Sequence, residues 1–234
     1  MITISNLTKR YGKIVALNQV SFTFENSQVI AIMGENGAGK STLLKICAGI
    51  LPFNQGEVII DNYSLTKDSI EARTHIGYLP EMPELYDRLT GREFLFYIAS
   101  LRKLAKASQI ITELTDITGI KDFLDYELGS YSKGMKQKIS LISAMMHAPK
   151  NLLLDEPVYG LDPPTSRTIQ DFIRKRQGTT IIATHSTRLV EQVADVVYIL
   201  MRGNVVLCDK VQTLLKKYQT IENAYFRCKD LQHA

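Results

Sequence analysis

The stretch Gly34-Glu35-Asn36-Gly37-Ala38-Gly39-Lys40-Ser41-Thr42 constrains this chain more than any other. It satisfies the pattern G-x-x-x-x-G-K-[ST] in full. Ahead of it lies Val29-Ile30-Ala31-Ile32-Met33, an apolar run with the length of a buried strand. Behind it Leu43, Leu44, Ile46, Cys47 and Ile50 recur at helical spacing, and Pro52 is expected to stop that helix. Strand, glycine-rich loop and helix are the setting in which such a loop holds a polyphosphate. The glycines let backbone N–H groups turn inward, and the helix N-terminus adds the positive end of its dipole. In that setting Lys40 reaches the β- and γ-phosphates, and Ser41 offers its hydroxyl to Mg²⁺.

The rest of the pattern says what surrounds this loop. Ile2, Ile4 and Leu7 open an alternating strand, which Lys9-Arg10-Tyr11-Gly12-Lys13 is expected to break. Val15, Leu17, Val20, Phe22 and Phe24 continue with period two, as in an antiparallel sheet with one wet face. Strand-like runs return at Gly56–Asp61, Ile76–Leu79, Leu152–Leu154, Thr180–Ala183 and Val196–Leu200, with helix-like segments between the later ones. Thr90-Gly91-Arg92-Glu93 is a capping-box signature. Leu95, Ile98, Leu101 and Ala105 follow it at helical spacing; Ile110, Ile111, Leu114, Ile117 and Thr118 repeat the period, and Gly119 is a C-cap candidate. Residues about 85–148 therefore read as a helical insertion. The fold class is α/β: a P-loop NTPase core with a mostly parallel sheet, an N-terminal antiparallel β subdomain and that insertion. Residues 1–215 are read as one ATP-binding domain and 216–234 as a short polar C-terminal tail.

Composition excludes more than it selects. An apolar content of 45% supports a sizeable core, and a net charge of +4 is too mild to name a partner. Cys47, Cys208 and Cys228 are odd in number and form no CxxC or Cys/His cluster, which argues against a disulfide framework or zinc site and fits a reducing compartment. Met1–Asn6 carries no basic segment leading into an apolar one. No run approaches the roughly 18 apolar residues of a spanning helix, so a soluble, cytoplasmic chain is expected. No basic, aromatic-rich stripe suggests nucleic acid.

A second chemical station is Asn151-Leu152-Leu153-Leu154-Asp155-Glu156-Pro157, an apolar strand ending in two acids. Beside a phosphate loop, the first acid of such a strand holds Mg²⁺ and the next polarises an attacking water. Asp155 reads as the Mg²⁺ partner and Glu156 as the base.

With these two stations in order, the chain resembles an ATP-binding subunit of an ABC transporter over nearly its whole length. Tyr11 stands where that family places an aromatic that stacks on adenine. Tyr131-Ser132-Lys133-Gly134-Met135 resembles the family's LSGGQ signature, with Lys133 for the first glycine and Met135 for the glutamine. The resemblance implies that Ser132 and Gly134 meet the ATP held by a partner subunit. Tyr159-Gly160-Leu161-Asp162 matches the loop that touches that partner, and His185 the histidine that bonds the γ-phosphate. Glu81 stands where most members carry a glutamine that links Mg²⁺ and the attacking water to the helical region; its added charge beside Glu156 is expected to raise the pKa of one of the two. The variant resembles exporter-type members. The resemblance thus implies a Mg²⁺-dependent ATPase, pairing as a homo- or heterodimer, peripheral on the cytoplasmic face of the membrane, and driving export through a separate multi-spanning permease. A soluble ABC-type ATPase of an assembly system is the alternative.

Overall fold

The computed structural model describes residues 1–233 of the 234-residue chain. The chain begins with β1 (Ile2–Tyr11), β2 (Ile14–Phe24) and β3 (Val29–Met33), followed by α1 (Lys40–Cys47). Next come β4 (Gln55–Ile60), β5 (Tyr63–Ser64), α2 (Ser69–Thr74) and β6 (Ile76–Leu79). Three helices form the middle of the chain: α3 (Gly91–Leu101), α4 (Ala107–Thr118) and α5 (Lys133–Met145). Strands and helices then alternate as β7 (Asn151–Asp155), α6 (Pro163–Lys175), β8 (Thr179–Thr184), α7 (Thr187–Val193) and β9 (Val196–Met201). The chain closes with β10 (Asn204–Lys210), α8 (Val211–Tyr218) and α9 (Ile221–His233).

Two sheets result. The first is antiparallel, in the order β2-β1-β4-β5. The second, β10-β9-β3-β8-β7-β6, is parallel except for β10, which folds back on β9 at the edge. Because strand side chains alternate, the second sheet buries two faces. Ile30, Ile32, Leu153, Ile181 and Ala183 face the antiparallel sheet and α1, in one core with Ile2, Ile4, Phe22, Phe24 and Leu43. Ala31 and Met33 join Val197, Ile199 and the last helices on the far side. Leu152, Leu154 and Ile182 join α5 and α6 there. In register, Met33 lies beside Thr184, Ala183 beside Asp155, and Leu154 beside Leu79. The loops that follow these strands therefore open at one edge, where open α/β sheets place their ligands.

Three expectations are corrected. β1 is not broken at Lys9–Lys13; its ladder runs to Tyr11 opposite Ile14, leaving only Gly12 and Lys13 as the turn. Register shifts at Leu7, Lys9 and Arg10 absorb the irregularity, and Lys9 donates to the Pro52 carbonyl at 2.7 Å. α1 ends at Cys47 with Ala48 closing it, well before Pro52, and Ile50 is outside the helix and exposed. The segment read as a short polar tail from residue 216 holds the end of α8 and the whole of α9 among the described residues. Ile221, Ala224, Tyr225 and Cys228 recur at helical spacing and are buried against the face carrying Ala31 and Met33. The capping box at Thr90 and Glu93 and the C-cap at Gly119 form as expected.

Candidate functional site: the loop edge of the parallel sheet

Gly34 leaves β3 pressed against the end of β9, where any Cβ would collide with the Leu200 carbonyl oxygen. Gly39, at φ +108°, turns the chain into α1 in a conformation that side-chain-bearing residues rarely adopt. No side chain caps α1, and its first turn has no acid. The orphan N–H groups there are left for a ligand. Ala38, within the loop, is buried. Lys40 is buried and folds back, donating to the Gly34 carbonyl at 2.8 Å and the Glu35 carbonyl at 3.1 Å. Burial pushes its ammonium below the usual lysine range, and the charges of Glu156, Asp155 and Glu81 pull it back.

Asp155 ends β7, fully buried, and accepts from Ser41 Oγ at 3.1 Å. Burial holds its carboxyl above the ordinary range against the Ser41 bond, and the charges of Glu81 and Glu156 add to the rise. Two oxygens about 3 Å apart suit adjacent corners of an octahedral Mg²⁺. Among the described residues no three His, Cys, Asp or Glu side chains gather as a metal cluster. Ser41 and Asp155 fit the ion; Glu81 is exposed and lines the same cleft.

Glu156 follows at φ +46°, a left-handed conformation held by its surroundings. Its N–H donates to Ala183 O at 2.9 Å. Its Oε2 accepts from Thr184 Oγ1 at 2.9 Å, and its Oε1 from the His185 N–H at 2.9 Å. His185 Nδ1 lies 2.6 Å from Oε1, which makes Nδ1 the protonated nitrogen and leaves Nε2 free. Thr184 was not a candidate from sequence; its position beside the histidine was the only local signal.

These groups close around a cleft of about 380 Å³ lined by Asn36, Gly37, Lys40, Ser41, Thr42, Glu81, Glu156 and His185, together with Ala16 and Tyr159. Glu35 is turned away, with its carboxylate 2.7 Å from Lys229 of α9. Lys229 first, and Tyr225 beside it, hold that carboxyl below its usual range. Tyr11 is exposed and does not line the cleft. Ser132 and Gly134 do not line it either. Ser132 caps α5, accepting from the Met135 N–H at 3.3 Å, and Gly134 faces Asp162 and Thr165 at the start of α6.

A parallel sheet with an uncapped helix behind a glycine loop, and paired acids on the neighbouring strand, defines a nucleotide-binding α/β protein of the phosphate-loop class. Residues 17–159 match the ABC transporter family. The chain is 32% identical over 236 residues to the ABC transporter ATP-binding protein NatA of Bacillus subtilis, covering 96% of each. It is 32% identical to the bacitracin transport ATP-binding protein BcrA of Enterococcus faecalis, over 88% of this chain and 68% of the relative. Among solved structures, an ATP-binding subunit of an ABC transporter superposes with a TM-score of 0.89 at 26% identity, covering 98% of this chain and 99% of that one. The dimeric post-hydrolysis cassette MJ0796, bound to ADP and Pi, superposes with a TM-score of 0.81 at 25% identity, covering 90% and 98%. The chain belongs to the ABC transporter family and is one of its ATP-binding subunits.

Proposed function

We propose that the chain hydrolyses ATP as one half of a pair of such subunits and drives a separate multi-spanning membrane protein. The observation that carries this reading is the anchored carboxylate of Glu156, facing the same cleft as Lys40 and Ser41, whose hydroxyl bonds Asp155. In this reading the loop N–H groups and Lys40 bind the triphosphate, and Tyr11 stacks on the adenine. Glu156 takes a proton from the attacking water, and His185, through its free Nε2, bonds the γ-phosphate. A Mg²⁺ held by Ser41 and Asp155, with Glu81 nearby, would neutralise charge developing on the phosphates. No residue acts as a covalent phosphate acceptor; positioning and charge stabilisation do the work.

Pairing is supported by Ser132 and Gly134. A Cβ at Gly134 would meet its neighbours at 3.5 Å or more, an ordinary contact, so nothing inside the chain demands glycine there. A ligand outside the chain, the triphosphate of a second subunit, supplies that demand. The BcrA relative is named for bacitracin transport, which supports a transport role, and the Glu81 variant favours export as the direction. Among the described residues no helix is long and apolar enough to cross a membrane, so the pathway would belong to another chain. Ile50, Ile70, Met82, Tyr97 and Leu101 are exposed around the start of the helical region and offer that partner apolar surface.

Glu156→Gln keeps the acceptor for Thr184 and removes the base. Hydrolysis should fall by at least a hundredfold, while an ATP-bound dimer becomes detectable by light scattering. Full turnover in that variant would remove Glu156 from the role.

A further inference from the structure

Lys133 stands where the family signature has a glycine, and it is exposed. Its ammonium lies 4.8 Å from the centroid of the Tyr159 ring. That ring meets the His185 imidazole edge-on, with centroids 5.3 Å apart. His185 Nδ1 is in turn 2.6 Å from Glu156 Oε1. Four side chains therefore run in one line from the first turn of α5 to the carboxylate in the cleft. Each link has an ordinary physical basis: a cation over an aromatic face, an edge-to-face ring pair, a charge-assisted hydrogen bond. At the far end Glu156 is largely engaged. His185 N–H, His185 Nδ1 and Thr184 Oγ1 take up three of its about four acceptor positions.

We propose that Lys133 is a positioning residue that latches Tyr159 against His185 and so keeps Glu156 occupied until the triphosphate bound to a second copy draws the ammonium away. The inference rests on the reading of Glu156 as the base and of the chain as one half of a pair. Lysine suits the task because its ammonium is a point charge on a flexible stem, able to exchange an aromatic face for a phosphate oxygen. Gly160 leaves the space the ammonium uses, since a Cβ there would come within 2.8 Å of Nζ. Lys133 is the N1 residue of α5, whose N-terminus carries Ser132. A triphosphate arriving there is a much stronger partner for the ammonium than an exposed ring. Occupancy of one site is then transmitted through a single side chain to the base of the other.

The test is ATP turnover with Mg²⁺, from ATP well below half-saturation upward. The proteins compared are the wild type, Lys133→Met, Tyr159→Leu, the double variant and Lys133→Arg, with Glu156→Gln as control. Lys133 and Tyr159 are both exposed, so neither change removes a core contact. An exposed cation–aromatic contact corresponds to roughly a two- to fivefold change in rate. Lys133→Met and Tyr159→Leu should each raise turnover at low ATP by about that factor, the double variant should rise no further, and Lys133→Arg should stay with the wild type. No rise in either single variant, or effects that multiply in the double, overturns the latch. Hydrolysis that survives Glu156→Gln overturns instead the reading of the base on which the latch depends.

Discussion

His147, just beyond α5, shows what one buried residue does to the pH range of the fold. Its Nε2 bonds the Ile76 carbonyl at 2.9 Å, while Nδ1 is buried with no partner. Burial, helped by the charge of Arg102 and opposed by the Ile76 bond, pushes the imidazole down to about 4 from its ordinary 6.5. Between those values the unfolded chain binds a proton that the folded chain refuses, so stability is full above about 6.5 and falls as pH drops toward 4. The full effect would be ~3 kcal/mol; the ring is only partly buried, and water screening reduces this to about 1–2 kcal/mol. Thermal melting from pH 7.5 to pH 5 should therefore lose roughly 1–5 °C that His147→Gln, which keeps a donor for Ile76, does not lose. At this scale the candidate site was legible where its chemistry is written in consecutive residues: Gly34–Thr42, and Asp155 beside Glu156. What was not legible joins distant loops. The Thr184 bond to Glu156 spans 28 residues, and the Lys133–Tyr159 contact joins the first turn of α5 to the loop after β7, which share no local pattern. Tyr11 was singled out by its order along the chain alone, and it stands exposed and outside the cleft lining.

Elements were legible where periodicity and punctuation agreed. β3, β7 and β8 are short apolar runs bounded by turns and end within a residue or two of where their pattern stops. Pro52 misled because a proline marks where a helix cannot continue, while the backbone turn at Ala48 had already ended it. α9 was missed because its polar residues outnumber the apolar ones, although Ile221, Ala224, Tyr225 and Cys228 follow the i, i+3, i+4, i+7 stripe. That helix covers the far face of β3, the strand that launches the phosphate loop, and Lys229 reaches Glu35 within the loop. Ile221 has no exposed surface. Ile221→Ala leaves a cavity in that face and should cost ~2–4 kcal/mol. Melting temperature should then drop by about 5–15 °C. A change of less than 2 °C would show that α9 adds little to the core.

Three cores of the molecule lie on the two faces of one sheet, and a fourth lies among α3, α4 and α5. The cleft has a floor in the phosphate loop and a wall in Glu156 and His185, while Ser132 and Gly134 lie elsewhere on the same chain. If two copies complete each other's clefts, nucleotide binding and pairing are one equilibrium, and folding is linked to both. A ligand present at a hundred times its dissociation constant stabilises the folded state by ~2.7 kcal/mol, which in a chain of this size raises melting by roughly 5–10 °C. In Glu156→Gln, where ATP persists, this rise should grow with protein concentration, because the dimer is part of what ATP stabilises. Lys40→Ala should abolish the rise by removing the buried ammonium from the loop. If Gly134 meets the partner's nucleotide, Gly134→Ala should keep the rise from simple binding and lose its dependence on protein concentration. A shift equal at all protein concentrations in Glu156→Gln would mean that each chain holds its nucleotide alone.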